Sequence, residues 1–152
     1  MKKLFTLLFS MLICMGCYAE LPEYSIVGEG TGQQGTYLVK VTVTSKKKHV
    51  EDATLAACAV HGVLFRGFAN SKTRQTQKPL AGSAAAEASH QEYFDNFFDG
   101  TAAGYVNEVP GSRSVMKSDK KYKISAIYSV NKDQLRKDLE AAGVIRGLNS
   151  MF

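Results

Sequence analysis

The stretch GEGTGQQGTYLVKVTVT, residues 28–44, decides the fold class of this chain. After Gly35 the residues alternate: one face carries Tyr37, Val39, Val41 and Val43, and the other face is mostly polar. A period of two with β-branched residues predicts a strand that is exposed on one face. Because parallel strands are usually buried on both faces, this pattern favours an antiparallel sheet.

The glycines at Gly30, Gly32 and Gly35 have the spacing of a nucleotide-binding loop. A dinucleotide-binding loop is followed by a helix whose N-terminus holds the pyrophosphate, but here a strand pattern follows. A kinase glycine loop does lie between strands, yet it needs catalytic and metal-binding aspartates, and no His-Arg-Asp motif is present. We therefore predict a hairpin turn or bulge with positive φ angles, and no nucleotide binding.

The remaining chain alternates between helical and extended patterns. Helices are predicted from about residue 50 to 67, from 83 to 98, and from Asn131, a capping residue, to Gly143. Residues 69–82 read as a polar loop, and strands are expected near 104–109, 112–117 and 122–130. This order predicts an α+β fold: a single domain with an antiparallel sheet of about four strands and two to three helices packed on one face.

The first 19 residues have the layout of a secretory signal peptide. Two lysines precede an apolar run at residues 4–13, and small residues stand before Glu20. The apolar run is shorter than the ~20 residues of a membrane span. We therefore expect residues 1–19 to be a signal peptide and residues 20–152 to be a single α+β domain that is exported to the periplasm or cell exterior.

A second processing route remains open at Cys17. The sequence Cys14-Met15-Gly16-Cys17 places a small residue just before this cysteine, so Cys17 is a candidate lipidated N-terminus. That route would anchor the protein in the outer membrane as a lipoprotein. Membrane attachment is expected only if Cys17 is lipidated.

Charge and cysteine content limit the partners. Removal of residues 1–19 takes away two lysines, which lowers the formal charge from +5 to +3. That charge is modest and interleaved with acids, so no nucleic-acid partner is expected. Cys58 would be the last remaining cysteine, so no internal disulfide can form and the core must supply the stability.

The candidate site residues are His61, His90, Phe94 and Phe98. The two histidines lie on different predicted helices, which could bring them together with Glu87 or Asp95. No HxxxH or HExxH spacing is present, so we expect no metal and no cofactor. Phe94, Phe97 and Phe98 cannot all face one core from a single helix, so at least one is expected at the surface, where it could contact a partner.

The run Lys46-Lys47-Lys48 has two interpretations. A solvated turn at the end of a strand is the default. The alternative is a contact with anionic lipid or polysaccharide.

A resemblance to known proteins rests on two longer segments: AVHGVLFRGF (residues 59–68) and YKISAIYSVNKDQLRKDLEAAGVIRGL (residues 122–148). The chain resembles a family of small uncharacterised exported proteins of gut Bacteroidales over most of residues 20–152. Its layout is also similar to small α+β modules of outer-membrane lipoproteins and flagellar-assembly proteins. The second resemblance implies binding or assembly in the cell envelope and not catalysis.

The sequence therefore predicts an exported cell-envelope protein that acts as a non-enzymatic binding or assembly module. Its partner would be an envelope protein or a surface glycan. The alternative is a small periplasmic hydrolase or metal-dependent enzyme that uses His61, His90 and Asp95.

Overall fold

The structure is a computed structural model that describes residues 20–147. The predicted signal peptide and the candidate lipidation site at Cys17 lie outside the described residues. Within residues 20–147, no helix combines the length and hydrophobicity needed to cross a bilayer.

The described chain contains seven strands and four α-helices. In order they are β1 (Tyr24–Gly30), β2 (Thr36–Ser45), α1 (Asp52–His61), β3 (Phe68–Ala69), β4 (Thr76–Gln77), α2 (Ala84–Ser89), α3 (Gln91–Asn96), β5 (Val106–Glu108), β6 (Ser114–Ser118), β7 (Lys121–Asn131) and α4 (Lys132–Ala141). Single π-helical turns extend α1 through Gly62–Arg66 and α3 through Phe97–Thr101, and a 3₁₀ turn follows at Ala102–Tyr105.

The main sheet is antiparallel and has five strands. Its order is β1-β2-β7-β5, and β6 pairs with the other half of the same edge of β7. The α+β prediction is confirmed, with one strand more than the four expected, because β7 is long enough to pair with two short strands.

The alternation in β2 sets the buried face of the sheet. Val39 lies opposite Tyr128 of β7, and Val41 lies opposite Ala126, so both strands turn apolar residues toward the helices. Cys58 on α1 is fully buried against this face, and burial raises the pKa of its thiol to about 12. The thiol is therefore a small core group with little thiolate at neutral pH.

The backbone after Gly35 is extended, as predicted from the alternation. Gly30 and Gly35 have φ angles of 135° and 81°, and the pairing of β1 with β2 is irregular between Gly28 and Gly30. The glycines therefore form a hairpin turn with a bulge, where positive φ is required.

The loop prediction for residues 69–82 was incomplete, because β3 and β4 form a short hairpin. The Asn70 side chain accepts hydrogen bonds from the backbone N–H groups of Lys72 and Thr73, which closes the turn. The Ser71 N–H donates to the Gly28 carbonyl at 2.9 Å, so the hairpin covers part of the outer edge of β1.

The single helix predicted over 83–98 was wrong, because the helix breaks at His90. This residue has φ −125° and ψ 34°, outside the helical region, and it separates α2 from α3. Beyond the break, α3 buries Phe94 in the core, whereas α2 has no buried residue.

The final helix follows its sequence signals closely. The Asn131 side chain accepts the Gln134 N–H at 3.2 Å, which is the predicted N-cap. At the other end Gly143 has φ 73°, and the Val144 N–H donates to the Leu139 carbonyl at 3.0 Å. This is the predicted Schellman ending.

Candidate functional site

His61, at the end of α1, is the centre of the first candidate site. The Tyr24 hydroxyl lies 2.5 Å from His61 Nδ1, and Glu87 Oε1 lies 3.3 Å from His61 Nε2. A carboxylate can only accept, so Nε2–H donates to Glu87 and the Tyr24 hydroxyl donates to Nδ1. Two residues that are distant in sequence, Tyr24 and Glu87, therefore hold the imidazole in one tautomer.

The surroundings of His61 favour its neutral form. The side chain is 15% exposed, and its ring contacts those of Phe65 and Phe98. Burial lowers the pKa of His61 below its usual value near 6.5, and the neighbouring Glu87 carboxylate opposes the shift. The Arg66 guanidinium, 4.0 Å from the centre of the Tyr24 ring, also lowers this pKa.

The other predicted site residues separate into two groups. Phe94 and Phe98 line a shallow pocket of about 240 Å³ together with Glu87 and Asp95. Phe94 is only 2% exposed and belongs to the core, whereas Phe98 is half-buried at the pocket. His90 caps α3 through its backbone and has no side-chain contact with His61 among the described residues.

The expected pairing of two histidines is therefore replaced by His61 with Glu87. Within residues 20–147, no group of three His, Cys, Asp or Glu side chains is arranged to hold a metal ion. Glu87 was one of the two acids that the sequence placed near these histidines, and it is the one that meets His61.

A pH-dependent stability is expected from His61. The unfolded chain binds a proton near pH 6.5, but the folded chain does so only at lower pH, so acid favours unfolding. The contribution of His61 to the free energy of unfolding is complete above about pH 6.5. It is lost as the pH falls through the lower pKa of His61 in the folded state. Urea unfolding at a series of pH values should show this loss in the unchanged protein and not in His61→Gln.

The exposed residue His49 provides the control for this measurement. His49→Gln should keep the loss of stability in acid. An unchanged pH dependence in His61→Gln would show that His61 is not the responsible group.

A second candidate site lies beside the glycine turn, where the sequence analysis expected only a turn. It is a groove of about 730 Å³ between the β1–β2 turn and the β3–β4 hairpin. Its polar lining consists of the amide side chains of Gln33, Gln34, Asn70, Gln75 and Gln77 and the hydroxyls of Thr31, Thr36 and Thr73. In the sequence, two groups of glutamines could have indicated this groove: Gln33 with Gln34, and Gln75 with Gln77.

Two aromatic rings stand in the wall of this groove. Tyr37 and Phe68 meet edge to face at 5.1 Å, and the Lys132 ammonium lies 4.7 Å from the centre of the Tyr37 ring. The Tyr37 hydroxyl donates to Gln77 Oε1 at 3.4 Å. The charged side chains of the lining are Glu29, Lys72 and Lys132, so its charge is small.

The groove joins three separate parts of the fold. The Asp133 N–H, in the first turn of α4, donates to the Gly35 carbonyl at 3.2 Å. An added Cβ at Gly35 would lie 2.8 Å from the Asp133 carboxylate, so the turn and the helix are in close contact. The Gly35 carbonyl therefore satisfies one of the backbone N–H groups that the first turn of this helix leaves without an intrahelical partner.

Comparison with protein-family models, curated proteins and solved structures finds no match to this chain. The resemblances to the Bacteroidales family and to the envelope modules therefore stay predictions.

Proposed function

We propose that this chain is an exported, non-enzymatic binding module of the cell envelope and that the groove beside the glycine turn takes a neutral surface glycan. Export is supported by the sequence pattern of residues 1–19. The exported protein would be either free or, if Cys17 is lipidated, anchored to the membrane. The observation that carries the glycan assignment is the set of amide and hydroxyl side chains that line the groove.

The hydrogen-bonding chemistry of this lining suits sugar hydroxyls. Each Asn or Gln side chain offers both donors and an acceptor, and each Thr hydroxyl can donate and accept. A sugar hydroxyl has the same double capacity. Asn70, Thr36, Thr73 and Gln77 already use a side-chain oxygen in hydrogen bonds within the protein. The side chains of Gln33, Gln34 and Gln75 therefore supply most of the capacity to bind sugar hydroxyls, and they do so without a net charge.

The shape and charge of the groove support a neutral glycan over other partners. A volume of about 730 Å³ is in the range of small-ligand sites. Protein interfaces usually have an apolar, aromatic centre, whereas here polar side chains dominate. The rings of Tyr37 and Phe68 offer apolar surface for the C–H face of a sugar ring.

The test is binding to an array of neutral oligosaccharides, followed by calorimetry with the best ligand. In the double variant Gln33→Ala, Gln75→Ala, loss of two hydrogen bonds of ~1 kcal/mol each should weaken that binding about thirtyfold. The matched control is Gln91→Ala, Gln134→Ala, which removes two exposed glutamines outside the groove and should bind normally.

Two results would contradict the assignment. One is an array on which no neutral oligosaccharide binds, and the other is a double variant that binds as well as the unchanged protein. A third result would assign the groove to a protein partner instead: the unchanged protein captures an envelope protein, and the double variant does not.

A further inference from the structure

The end of the sheet opposite the groove is strongly basic. β2 ends at Ser45, which lies opposite Tyr122 at the start of β7. Lys46, Lys47 and Lys48 continue the chain beyond Ser45 and are exposed. The groove is at the other end of these strands, where Thr36 lies opposite Asn131.

The β6–β7 hairpin brings a second set of lysines to the same end. Lys121 and Lys123 are on β7, beside the last residues of β2, and Lys117 and Lys120 are on β6 and in the turn. All four are exposed, and Asp119 is the acid between them. Among the ion pairs of residues 20–147, none uses a lysine from this end.

The charge of the whole chain is concentrated here. Seven lysines at one end exceed the formal net charge of +5, so the rest of the chain is on balance acidic. Lysines that share one end of the sheet repel one another, and a nearby anion would relieve this repulsion. Such a concentration produces a local positive potential that attracts a polyanionic surface.

Exposed apolar side chains accompany these lysines. Met116 lies directly opposite Lys123 on the neighbouring strand and is 66% exposed. Val115 is 42% exposed but lies opposite the buried Ile124, on the other face of the sheet. Both are on β6, whose five residues are all exposed. A soluble polyanion gains little from a methionine in water, whereas a lipid surface can take it into the acyl region.

We propose that this basic end, consisting of the seven lysines with Met116, docks onto a bilayer that contains anionic phospholipid. The lysines meet the lipid phosphates, and Met116 enters between the lipid chains. Docking of this kind requires no lipid anchor at Cys17. It is separate from the glycan proposal because the two surfaces are at opposite ends of the sheet.

The chain path agrees with this orientation. The Glu23 carbonyl accepts the Thr44 N–H at 3.3 Å, and Glu23 lines a surface pocket with Thr44 and Lys123, so β1 begins beside the basic end. With the basic end on the membrane, the groove would be held away from it by about 30 Å, the length of a ten-residue strand.

The test is co-sedimentation of residues 20–152, which contain the whole described core, with vesicles. Vesicles of an equal mixture of phosphatidylcholine and phosphatidylglycerol should bind the protein, and phosphatidylcholine alone should not. Binding should be lost at about 0.5 M salt, where charges are strongly screened. The triple variant Lys120→Gln, Lys121→Gln, Lys123→Gln should bind about a hundredfold more weakly.

The control variant removes the same charge elsewhere. Lys78→Gln, Lys137→Gln, Arg146→Gln alters three exposed cations away from the basic end and should bind mixed vesicles nearly as well as the unchanged protein. Equal weakening in the two triple variants would show that only net charge matters and would overturn the proposal. All variants are first compared by thermal unfolding, since exposed substitutions should leave the fold intact.

Met116 separates a lipid partner from a soluble polyanion. Met116→Gln should weaken vesicle binding about tenfold, since the apolar side chain no longer leaves water. It should leave binding to dextran sulfate unchanged. If Met116→Gln has no effect on vesicle binding and dextran sulfate binds as tightly as vesicles, the occupant is a soluble polyanion and the lipid assignment fails.

Discussion

Replacement of Gly67 with alanine is expected to lower the free energy of unfolding by about 3 kcal/mol. Gly67 has φ 68° and ψ −178°, a combination that is essentially restricted to glycine. An added Cβ would collide with the Gln77 carbonyl oxygen and would lie 3.1 Å from Pro79. These are backbone and ring atoms that cannot move aside like a flexible side chain.

Urea unfolding measures this loss, and Gly143→Ala is its control. Gly143 has a similar φ of 73°, but no atom lies within 4 Å of an added Cβ. Its substitution should cost about 1 kcal/mol, the cost of the left-handed backbone alone. Equal losses at the two positions would show that the collision at Gly67 does not contribute.

The Gly67 variant should also affect the groove. Gln77, which the added Cβ would displace, lines the groove and accepts the Tyr37 hydroxyl. Oligosaccharide binding should therefore fall in Gly67→Ala, whereas vesicle binding at the other end of the sheet should not. A single variant therefore tests the glycan proposal independently of the membrane-docking proposal.

Leu135→Ala should cost about 3 kcal/mol of unfolding free energy. Leu135 is on the inner side of α4 and is fully buried, so the shorter side chain leaves a cavity and loses its transfer free energy. Thermal and urea unfolding measure the change. The exposed neighbour Lys137 is the control, because Lys137→Ala should change stability by less than about 0.5 kcal/mol.

A small effect of Leu135→Ala would contradict the packing of α4 described above. The helix is short and, on its own, would be marginal in water. Its stability therefore depends on Leu135 and Leu139, which hold it against the sheet. The same packing places Lys132 over Tyr37 in the groove.

The elements that could be predicted from sequence are those with strong local signals. The alternation in β2 and β7 and the caps of α4 involve residues within a few positions of one another, so their physics is local. The break at His90 and the β3–β4 hairpin were missed. Each depends on contacts with a distant strand or helix, such as the bond from Ser71 to Gly28.

The role of Asp52 illustrates the same limit. Asp52 lies in the first turn of α1, where a carboxylate has a favourable interaction with the helix dipole. In the structure its carboxylate also lies 2.7 Å from Arg113, which in turn bonds to Glu108. No period or cap in the sequence relates residues 52 and 113, because the loop before β6 brings them together only after folding.

The sequence by itself determined the antiparallel α+β class, the turn at the glycines and the ends of the last helix, since each depends on neighbouring residues. Only the tertiary structure decided that His61 meets Glu87, that five amides share one groove and that seven lysines share one end of the sheet. The physical reason is that these groupings depend on strand register and helix packing. Register places Ser45 opposite Tyr122, and so brings the lysines that follow each of them to one end, although no local pattern relates two positions that are so distant in the chain.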